Sequence, residues 1–356
     1  MSMKLSAVRC VFGTGLPPCA LVLSMLAACG DNASSSSSSG TTGSSTSTSS
    51  SSSSGSSGGA DGGNGSSGGA DGAPDAPIAY PDPLAGTSAP TLVKSGYTFT
   101  EGPLWLPASN KLVFSDVQGN KMYELPSGAA TPTVLRDPSN RTNGHGLAPN
   151  GVFYSCEHGS GTGGRVSRTL ANGTVEAVVS VYGGANLNSP NDIIVRSDGN
   201  VYFTDPNYAG SAQPKQNVFR IAPGASVATV VDDTLSKPNG IALSPDQNTL
   251  YVASSASNFV NKYTLAVDGT PGPASKFIAS LAAPDGIAVD DAGNLYAATN
   301  TGVSVYKSDA TPIGVIAIPN GKRASNIAFG DADRKTLYIT AQTDLYKVVL
   351  NVPGPP

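Results

Sequence analysis

Charged side chains are scarce in this sequence. Asp, Glu, Lys and Arg make up 13% of the 356 residues, and 21 basic residues against 25 acidic ones give a formal net charge of −4. Domains that bind nucleic acid usually carry a basic patch or stripe on one face. The composition therefore predicts a protein without a nucleic-acid partner.

Long apolar runs are also missing. The apolar run at residues 20–26 follows Lys4 and Arg9 and is too short to span a bilayer, so residues 1–28 are typical of a signal peptide. The sequence Leu-Ala-Ala-Cys at residues 26–29 resembles a bacterial lipobox, which implies cleavage before Cys29 and lipidation of that residue. Ordinary secretion with cleavage near Ala28 is the alternative. We expect an exported lipoprotein anchored to a bacterial membrane, in the periplasm or at the cell surface.

Cysteine is too rare for a disulfide framework. Cys10 and Cys19 lie in the predicted signal peptide and Cys29 would carry lipid, which leaves Cys156 alone in the mature chain. We interpret Cys156 as a small buried apolar residue. Residues 86–352 contain no Gly-x-Ser-x-Gly motif, so the nucleophile elbow of a serine hydrolase is not expected.

Residues 29–85 consist mainly of Ser, Gly, Thr and Ala. Such a segment cannot bury enough apolar surface to offset the entropy lost on ordering, and it is predicted to be a disordered linker. The folded domain is predicted to span residues 86–352. No stretch of this domain shows the helical spacing of apolar residues over a credible length.

Six copies of one short unit account for the folded region. The clearest copy, residues 190–205, reads PNDIIVRSDGNVYFTD: a polar residue opens a short apolar strand, a DG turn follows, and a second strand ends in a carboxylate. The copies recur 40 to 48 residues apart, and further short strands follow each pair. Short strands that repeat at this period are typical of a β-propeller with one blade per unit. The sequence predicts an all-β fold, a six-bladed β-propeller with four-stranded antiparallel blades.

The last unit ends one strand short. Residues 91–96, TLVKSG, stand before the first unit without a partner of their own. We expect this N-terminal strand to complete the last blade as its outer strand and to close the ring, because an open ring would leave a long unpaired edge.

The residues that open the six units are all polar. The inner strands of a propeller run along its central channel, so these side chains should ring the channel at one height. Carboxylate and amide oxygens without His or Cys suit a hard cation, calcium first and magnesium second. Simple turns before the strands, or an ion that only holds the blades together, are the alternative interpretations. The six opening residues are Glu101, Asn143, Asn191, Asn239, Asp285 and Ser325.

Most of the second strands also end in a polar residue, and we expect this second ring towards the other end of the channel. The only two histidines, His145 and His158, lie in the second unit and are candidates for substrate contacts or for a base. Tyr208 lies in the polar loop after the third unit's second strand and is a candidate for a residue that covers the site. The second ring comprises Asp116, Glu157, Asp205, Ser254, Thr299 and Ala341.

Five segments carry a resemblance to a known family: EGPLWLP, SPNDIIVRSDGNVYFTDPNY, KPNGIALSPD, PDGIAVDDAGNLY and NIAFGDADRKTLYITA. In this order, from Glu101 to the end of the chain, they resemble gluconolactonase and regucalcin (senescence marker protein). The resemblance implies a six-bladed propeller with a divalent cation in its channel, in a family composed mostly of lactone hydrolases, with diisopropyl fluorophosphatase as a structural relative. It also implies metal ligands at Glu101, Asn239 and Asp285, and a position near metal and substrate at Asn191. Where regucalcin has an Arg that contacts substrate, this chain has Ser189, so regucalcin's sugar-lactone preference is not implied.

We therefore expect a monomeric, divalent-metal-dependent lactonase that acts on a small-molecule lactone. Ca²⁺ is the expected cofactor, with Mg²⁺, Mn²⁺ or Zn²⁺ as alternatives, held by Glu101, Asn191, Asn239 and Asp285. Asp285 would also hold or deprotonate the attacking water, and a metal-bound hydroxide that Asp285 only orients is the competing account. A non-catalytic cell-surface scaffold with a structural ion, and an aryl-ester or phosphotriester hydrolase, are the alternative functions. The expected substrate contacts are Asn143, Asn191, His145, His158 and Tyr208.

Overall fold

The computed structural model describes residues 78–160, 163–210 and 212–356. The predicted signal peptide, the lipidation site Cys29 and the predicted linker up to residue 77 lie outside these residues, so export and lipid anchoring stay predictions. The described chain is built of β-strands joined by turns, with two short 3-10 helices at Pro107–Ser109 and Pro319–Gly321. None of its helices is long and apolar enough to cross a membrane.

Five blades are formed by consecutive stretches of chain, each with four antiparallel strands in sequence order. After an initial strand β1 (Thr91–Ser95), the first blade comprises β2 (Thr100–Leu106), β3 (Lys111–Asp116), β4 (Lys121–Pro126) and β5 (Thr133–Arg136). The second comprises β6 (Thr142–Leu147), β7 (Phe153–Glu157), β8 (Arg165–Thr169) and β9 (Val175–Val179), followed by a hairpin of β10 (Val181–Tyr182) and β11 (Ala185–Asn186). The third comprises β12 (Ile193–Val195), β13 (Val201–Asp205), β14 (Asn217–Ile221) and β15 (Thr229–Asp232). The fourth comprises β16 (Pro238–Leu243), β17 (Thr249–Ser254), β18 (Phe259–Leu265) and β19 (Pro271–Ile278). The fifth comprises β20 (Ile287–Val289), β21 (Leu295–Thr299), β22 (Gly302–Tyr306) and β23 (Pro312–Ile316).

The sixth blade takes its strands from both ends of the described chain. Its C-terminal strands are β24 (Asn326–Gly330), β25 (Thr336–Ala341) and β26 (Asp344–Val349). Strand β1 pairs with β26 as the outer strand, from Thr91 opposite Lys347 to Ser95 opposite Asp344, and the inner strand β24 packs beside β2. The predicted six-bladed propeller, its four-stranded blades and its closure by an N-terminal strand are confirmed.

Side chains of the second strands pack between neighbouring blades. Tyr202 and Tyr296 are fully buried, and their hydroxyls donate to the carbonyl oxygen of Gly269 (2.5 Å) and to Asp290 Oδ2 (2.9 Å). Cys156 is also fully buried with a free thiol, which agrees with its interpretation as a core residue. The amphipathic tyrosines fill the spaces between blades because their one polar atom finds an acceptor there.

The inner strands approach one another so closely that four units carry glycine directly after the opening residue. A Cβ atom on Gly102 would lie 2.0 Å from the carbonyl oxygen of Asn143 in the next blade, and one on Gly240 would lie 2.3 Å from that of Asp285. No side chain fits at such contacts, so these positions require glycine. The four glycines are Gly102, Gly144, Gly240 and Gly286.

The domain begins slightly before its predicted boundary at residue 86. Leu84 packs against the apolar core of the fifth and sixth blades, and Asn351 Nδ2 donates to the carbonyl oxygens of Asp82 and Ala85, both at 2.8 Å. These contacts join the segment before β1 to the segment after β26, so residues 82–85 belong with the propeller and not with the linker.

Removal of the closing strand should destabilise the whole propeller. Deleting residues 91–96 would leave the β26 backbone without its partner and expose a strand edge. We expect aggregation, or a fall in melting temperature of about 10 °C or more, measured by circular dichroism. The matched control deletes six serines of the predicted linker, residues 49–54, and should change neither property. Equal behaviour of the two deletions would contradict the closing role.

Candidate active site

One end of the central channel opens into a cavity of about 420 Å³, within the size range of small-molecule sites. The sixth opening residue, Ser325, is buried, and its hydroxyl donates to the carbonyl oxygen of Thr100 at 2.7 Å, which joins the last blade to the first. The other five opening residues line the cavity: Glu101, Asn143, Asn191, Asn239 and Asp285. Glu101, Asn143 and Asn239 lie inside strands, so their interpretation as simple turn residues does not hold.

The second ring lies at the same end of the channel as the first, so its predicted position was wrong. In an antiparallel pair the end of the second strand stands opposite the start of the first, as Asp116 does opposite Thr100 and Glu157 opposite Thr142. None of the six residues of this ring, all in the described chain, lines the cavity. Asp116 accepts the backbone N–H of Phe99 at 2.9 Å and thereby fixes the loop that leads into β2.

Three carboxyl groups are buried together beside the cavity. Glu101, Asp192 and Asp285 are at most 7% exposed. Burial raises the pKa of Asp285 to about 6 and that of Asp192 to about 7. Burial also raises the pKa of Glu101, and the negative charges of Asp285 and Asp192 raise it further. Negative charge is therefore concentrated where water solvates it poorly. A cation bound among these groups would offset the free energy lost when the carboxylates are removed from water.

Asp192 and Asn326 close the channel next to the cavity, and sequence reasoning missed both. Each follows the opening residue of its unit, at the position that glycine holds in the other four units. The third and sixth blades face each other across the ring, and the Asn326 amide lowers the pKa of both Asp192 and Glu101 against the larger effect of burial. Asp192 Oδ2 also accepts the backbone N–H of Ile241 in the next blade at 3.2 Å. The available signal was the departure from glycine in two opposite units.

Arg323 was also missed, and it contacts the predicted catalytic residue. Its guanidinium donates to Asp285 Oδ2 at 2.8 Å, and the Arg323 side chain lines the cavity. The Asp285 side chain is 9% exposed and that of Arg323 is 42% exposed, so the guanidinium is the more accessible partner. The positive charge of Arg323 opposes the effect of burial and lowers the pKa of Asp285. The second unit also carries arginine at this position and the fourth carries lysine, so the available signal was a basic residue two positions before the opening residue in three of the six units.

Asn143 has a buried oxygen atom that no group in the described chain satisfies. Asn143 is 3% exposed, its Nδ2 lies 3.1 Å from His158 Nε2, and its Oδ1 has no partner. Burial, with a smaller effect of the charge of Arg141, lowers the pKa of His158 to about 4, so this ring is neutral at neutral pH and its Nε2 accepts from the amide. Both residues line the cavity, as predicted, and the Asn143 oxygen is an acceptor available to a ligand.

His145 does not reach the cavity, although it lies two residues after Asn143. A bulge in β6 between Thr142 and His145 changes the direction of the side chain. Its ring nitrogens instead bond to two serine hydroxyls, Nε2 to Ser115 at 3.0 Å and Nδ1 to Ser155 at 2.8 Å. Burial lowers the pKa of His145 to about 3, so the ring is neutral. The predicted substrate contact at His145 has no support in this geometry, and we assign it no role in the site.

The loop after β13 covers one side of the cavity. Tyr208 Oη accepts a hydrogen bond from Asn239 Nδ2 at 3.0 Å, and Lys237 Nζ lies 4.4 Å from the centroid of the Tyr208 ring. The backbone N–H of Tyr208 donates to Ser189 Oγ at 2.9 Å, which fixes the loop. Asn239 Nδ2 also donates to Ser255 Oγ at 3.1 Å, which leaves the amide oxygen of Asn239 as its acceptor for a ligand.

The oxygen donors around the cavity fit a hard divalent cation. Two carboxylates and three asparagine side chains line it without a cysteine, a donor set that calcium and magnesium prefer. The partnerless Asn143 Oδ1 and the buried charge of Glu101 and Asp285 are consistent with such an ion. The described chain contains no cluster of three or more His, Cys, Asp or Glu residues suited to a metal. A cation here would therefore rely on amide oxygens as well as on the two carboxylates.

Comparison with known proteins places this geometry in a family. A gluconolactonase of Zymomonas mobilis is 31% identical over 301 residues, which cover 75% of this chain and 83% of that protein. The solved structure of a gluconolactonase from Xanthomonas campestris is 32% identical and superposes with a TM-score of 0.68 over 76% of this chain and 91% of that one. Regucalcin from Agrobacterium tumefaciens, described as a calcium-binding protein, shares the fold at 19% identity, with a TM-score of 0.65 over 75% of this chain and 95% of that one. Residues 99–343 match the model of the SMP-30/gluconolactonase/LRE-like region, and the chain therefore belongs to that family.

Proposed function

We propose that this protein hydrolyses a lactone to the corresponding hydroxy acid at a site that holds a divalent cation. The observation that carries the proposal is the placement of the Glu101 and Asp285 carboxylates in one small-molecule cavity with three asparagine side chains. The similarity to the gluconolactonases of Zymomonas mobilis and Xanthomonas campestris supports the reaction type.

The residues that would hold the cation are Glu101, Asn239 and Asp285, with Asn191 close to both cation and substrate. Their oxygens favour calcium, and magnesium, manganese or zinc are the alternatives. When bound, a divalent cation polarises the lactone carbonyl and offsets the negative charge that develops on its oxygen. The carboxylates of Glu101 and Asp285 would balance the charge of the cation, and the resemblance of the fold to a calcium-binding protein is consistent with this choice.

Asp285 is the residue that we propose acts on the attacking water. Arg323 holds its Oδ2 at 2.8 Å, which leaves Oδ1 to orient a water molecule and accept its proton. The water oxygen adds to the carbonyl carbon, and the bond from that carbon to the ring oxygen then breaks. The ring oxygen takes up the proton and becomes the new hydroxyl of the product. Asn143 Oδ1 is available to accept a hydrogen bond from a substrate hydroxyl during these steps.

An open cavity favours an enzyme over a scaffold. A propeller whose ion served only to hold the blades together would be expected to fill the channel mouth with side chains. Here the mouth holds a cavity of about 420 Å³ with an unsatisfied acceptor, Asn143 Oδ1, beside it. A panel of sugar, aryl and acyl-homoserine lactones, with an aryl ester and a phosphotriester, assayed with each divalent cation after chelation, tests the reaction type.

Calcium should stabilise the folded protein. After chelation and desalting, 1 mM calcium should raise the free energy of unfolding by about 2.7 kcal/mol if the dissociation constant is about 10 µM, because the ion binds only the folded chain. Thermal unfolding with and without calcium measures this, and elemental analysis counts the bound ions. The double variant Glu101→Gln/Asp285→Asn keeps the ligand oxygens but removes both charges, and its shift should be much smaller. Absence of bound metal together with absence of any shift would contradict the proposed cation.

Asp285 should contribute more to turnover than Glu101 does. The variants Glu101→Gln and Asp285→Asn each remove one negative charge and keep a ligand oxygen, so metal affinity should fall similarly in both. At saturating calcium, Asp285→Asn should lose at least about 100-fold more kcat than Glu101→Gln, because only Asp285 accepts the proton from water. Steady-state rates at several calcium concentrations separate the two effects. Equal losses in kcat would leave a metal-bound hydroxide as the nucleophile or place the base on another residue, of which His158 is the next to test.

A further inference from the structure

The residues two positions before each opening residue form a third ring, which we call the rim. Three of the six are basic and none is acidic, although the chain as a whole carries a net charge of −4. Four of them line the cavity. The rim comprises Phe99, Arg141, Ser189, Lys237, Ala283 and Arg323.

Two rim residues are engaged by the loop that covers the cavity. Ser189 Oγ accepts the backbone N–H groups of Tyr208 (2.9 Å) and Ala209 (3.2 Å). Lys237 Nζ donates to the carbonyl oxygen (3.1 Å) and to the side-chain oxygen (2.5 Å) of Asn207. Their polar groups are therefore used in holding the loop. The part of the rim that remains open to a ligand consists of Phe99, Arg141, Ala283 and Arg323.

Arg141 presents a guanidinium that no group of the described chain neutralises. The residue is exposed, lines the cavity, and forms neither an ion pair nor a side-chain hydrogen bond within these residues. Its backbone adopts a φ of 54°, directly after Asn140 at 61°, a conformation that costs energy for a residue other than glycine. Hydrogen bonds fix this turn, since the Arg141 N–H donates to Asn120 Oδ1 at 2.7 Å and its carbonyl accepts from the His158 N–H at 3.1 Å. Strain of this kind concentrates at functional sites.

Arg323 lies on the other side of Phe99, because the sixth and second blades flank the first. One of its nitrogens, Nη2, donates to Asp285. Since a guanidinium carries five N–H groups and this side chain is 42% exposed, further donors are available to a ligand. The two guanidinium groups thus stand at the mouth on either side of the first blade.

We propose that the substrate is a lactone that carries a separate anionic group, a carboxylate or a phosphate, bound at the rim by Arg141 and Arg323. This inference rests on the proposed hydrolysis in the same cavity. A guanidinium donates two parallel hydrogen bonds to either kind of anion, whereas a neutral sugar lactone would leave Arg141 without a partner. A divalent cation would balance two of the three carboxylates Glu101, Asp192 and Asp285, so the two arginines leave at least one positive charge uncompensated, which attracts an anion to the mouth.

Lactones that share the 1,5-ring and differ in the group at C6 test this substrate class. The value of kcat/KM of the full-length, calcium-loaded protein is measured for D-glucono-1,5-lactone, for D-glucaro-1,5-lactone, which carries a carboxylate, and for 6-phospho-D-glucono-1,5-lactone. We expect at least one anionic lactone to exceed the neutral one by about tenfold or more, as a charged hydrogen bond would give. The better of the two anionic lactones identifies the anionic group.

Substitution of Arg141 tests the residue assignment. Arg141→Gln should lower kcat/KM for the preferred anionic lactone by about 10- to 100-fold more than for the neutral one, and Arg141→Lys should recover part of the loss. The matched control, Arg168→Gln, removes one positive charge from the same blade at a residue that pairs with Glu176 at 2.8 Å. This control variant should leave unchanged the ratio of kcat/KM for the anionic lactone to kcat/KM for the neutral one. Melting temperatures show whether each variant is folded.

The outcomes separate this inference from the proposed function. A native preference for the neutral lactone, or an equal loss on all three lactones in Arg141→Gln, would overturn the anionic substrate while leaving lactone hydrolysis in place. If none of the three lactones is opened, the proposed reaction fails for them, and calorimetry with D-glucarate and D-gluconate decides the inference. Tighter binding of D-glucarate that is lost in Arg141→Gln supports it, and equal binding of the two anions in both proteins overturns it.

Discussion

The convergence of six inner strands on one axis constrains the rest of the molecule. Near the axis four of the six units have no room for a side chain, as the 2.0 Å separation between a Cβ on Gly102 and the carbonyl oxygen of Asn143 shows. Successive side chains on a strand point to opposite sides, so the residue before each glycine is directed towards the open mouth of the channel. Close packing of the blades and the ring of polar residues are therefore two results of the same geometry.

The two polar rings differ in how their charge is compensated. Glu157 in the second ring is fully buried, and Arg136 (3.1 Å) and Arg165 (2.5 Å) both pair with it. Glu101 and Asp285 lie close together, and Arg323 is the basic residue that pairs with this couple in the described chain. A buried carboxylate whose charge is balanced by basic residues of the protein stabilises the fold. Buried carboxylates whose charge is only partly balanced are suited to bind a cation. Compensation within the protein thus distinguishes Glu157 from the carboxylates of the candidate site.

The period of the repeat was sufficient to predict the blades and the closing strand, and also five of the residues that line the cavity, because every copy opens with a polar side chain at the same place. The position of the second ring was predicted wrongly because, in an antiparallel hairpin, the end of the second strand lies beside the start of the first. Asp192, Asn326 and Arg323 were missed because the departures from the repeat that mark them acquire a meaning only from contacts between blades. His145 was misplaced because a bulge redirects it, and no residue in β6 marks that bulge in the sequence.

The outer strand of the last blade also determines the order in which the chain can fold. Thr91 bonds to Lys347 across 256 residues, whereas each of the first five blades pairs its four strands locally. Because synthesis proceeds from the N-terminus, β1 is made first and finds its partner last, after loop closure over nearly the whole domain. During that interval β1 is an unpaired segment with the capacity to join any free sheet edge, including one on another copy of the chain. The exposed charge of Lys94 near its centre disfavours such pairing, in the way that edge lysines protect other β-proteins.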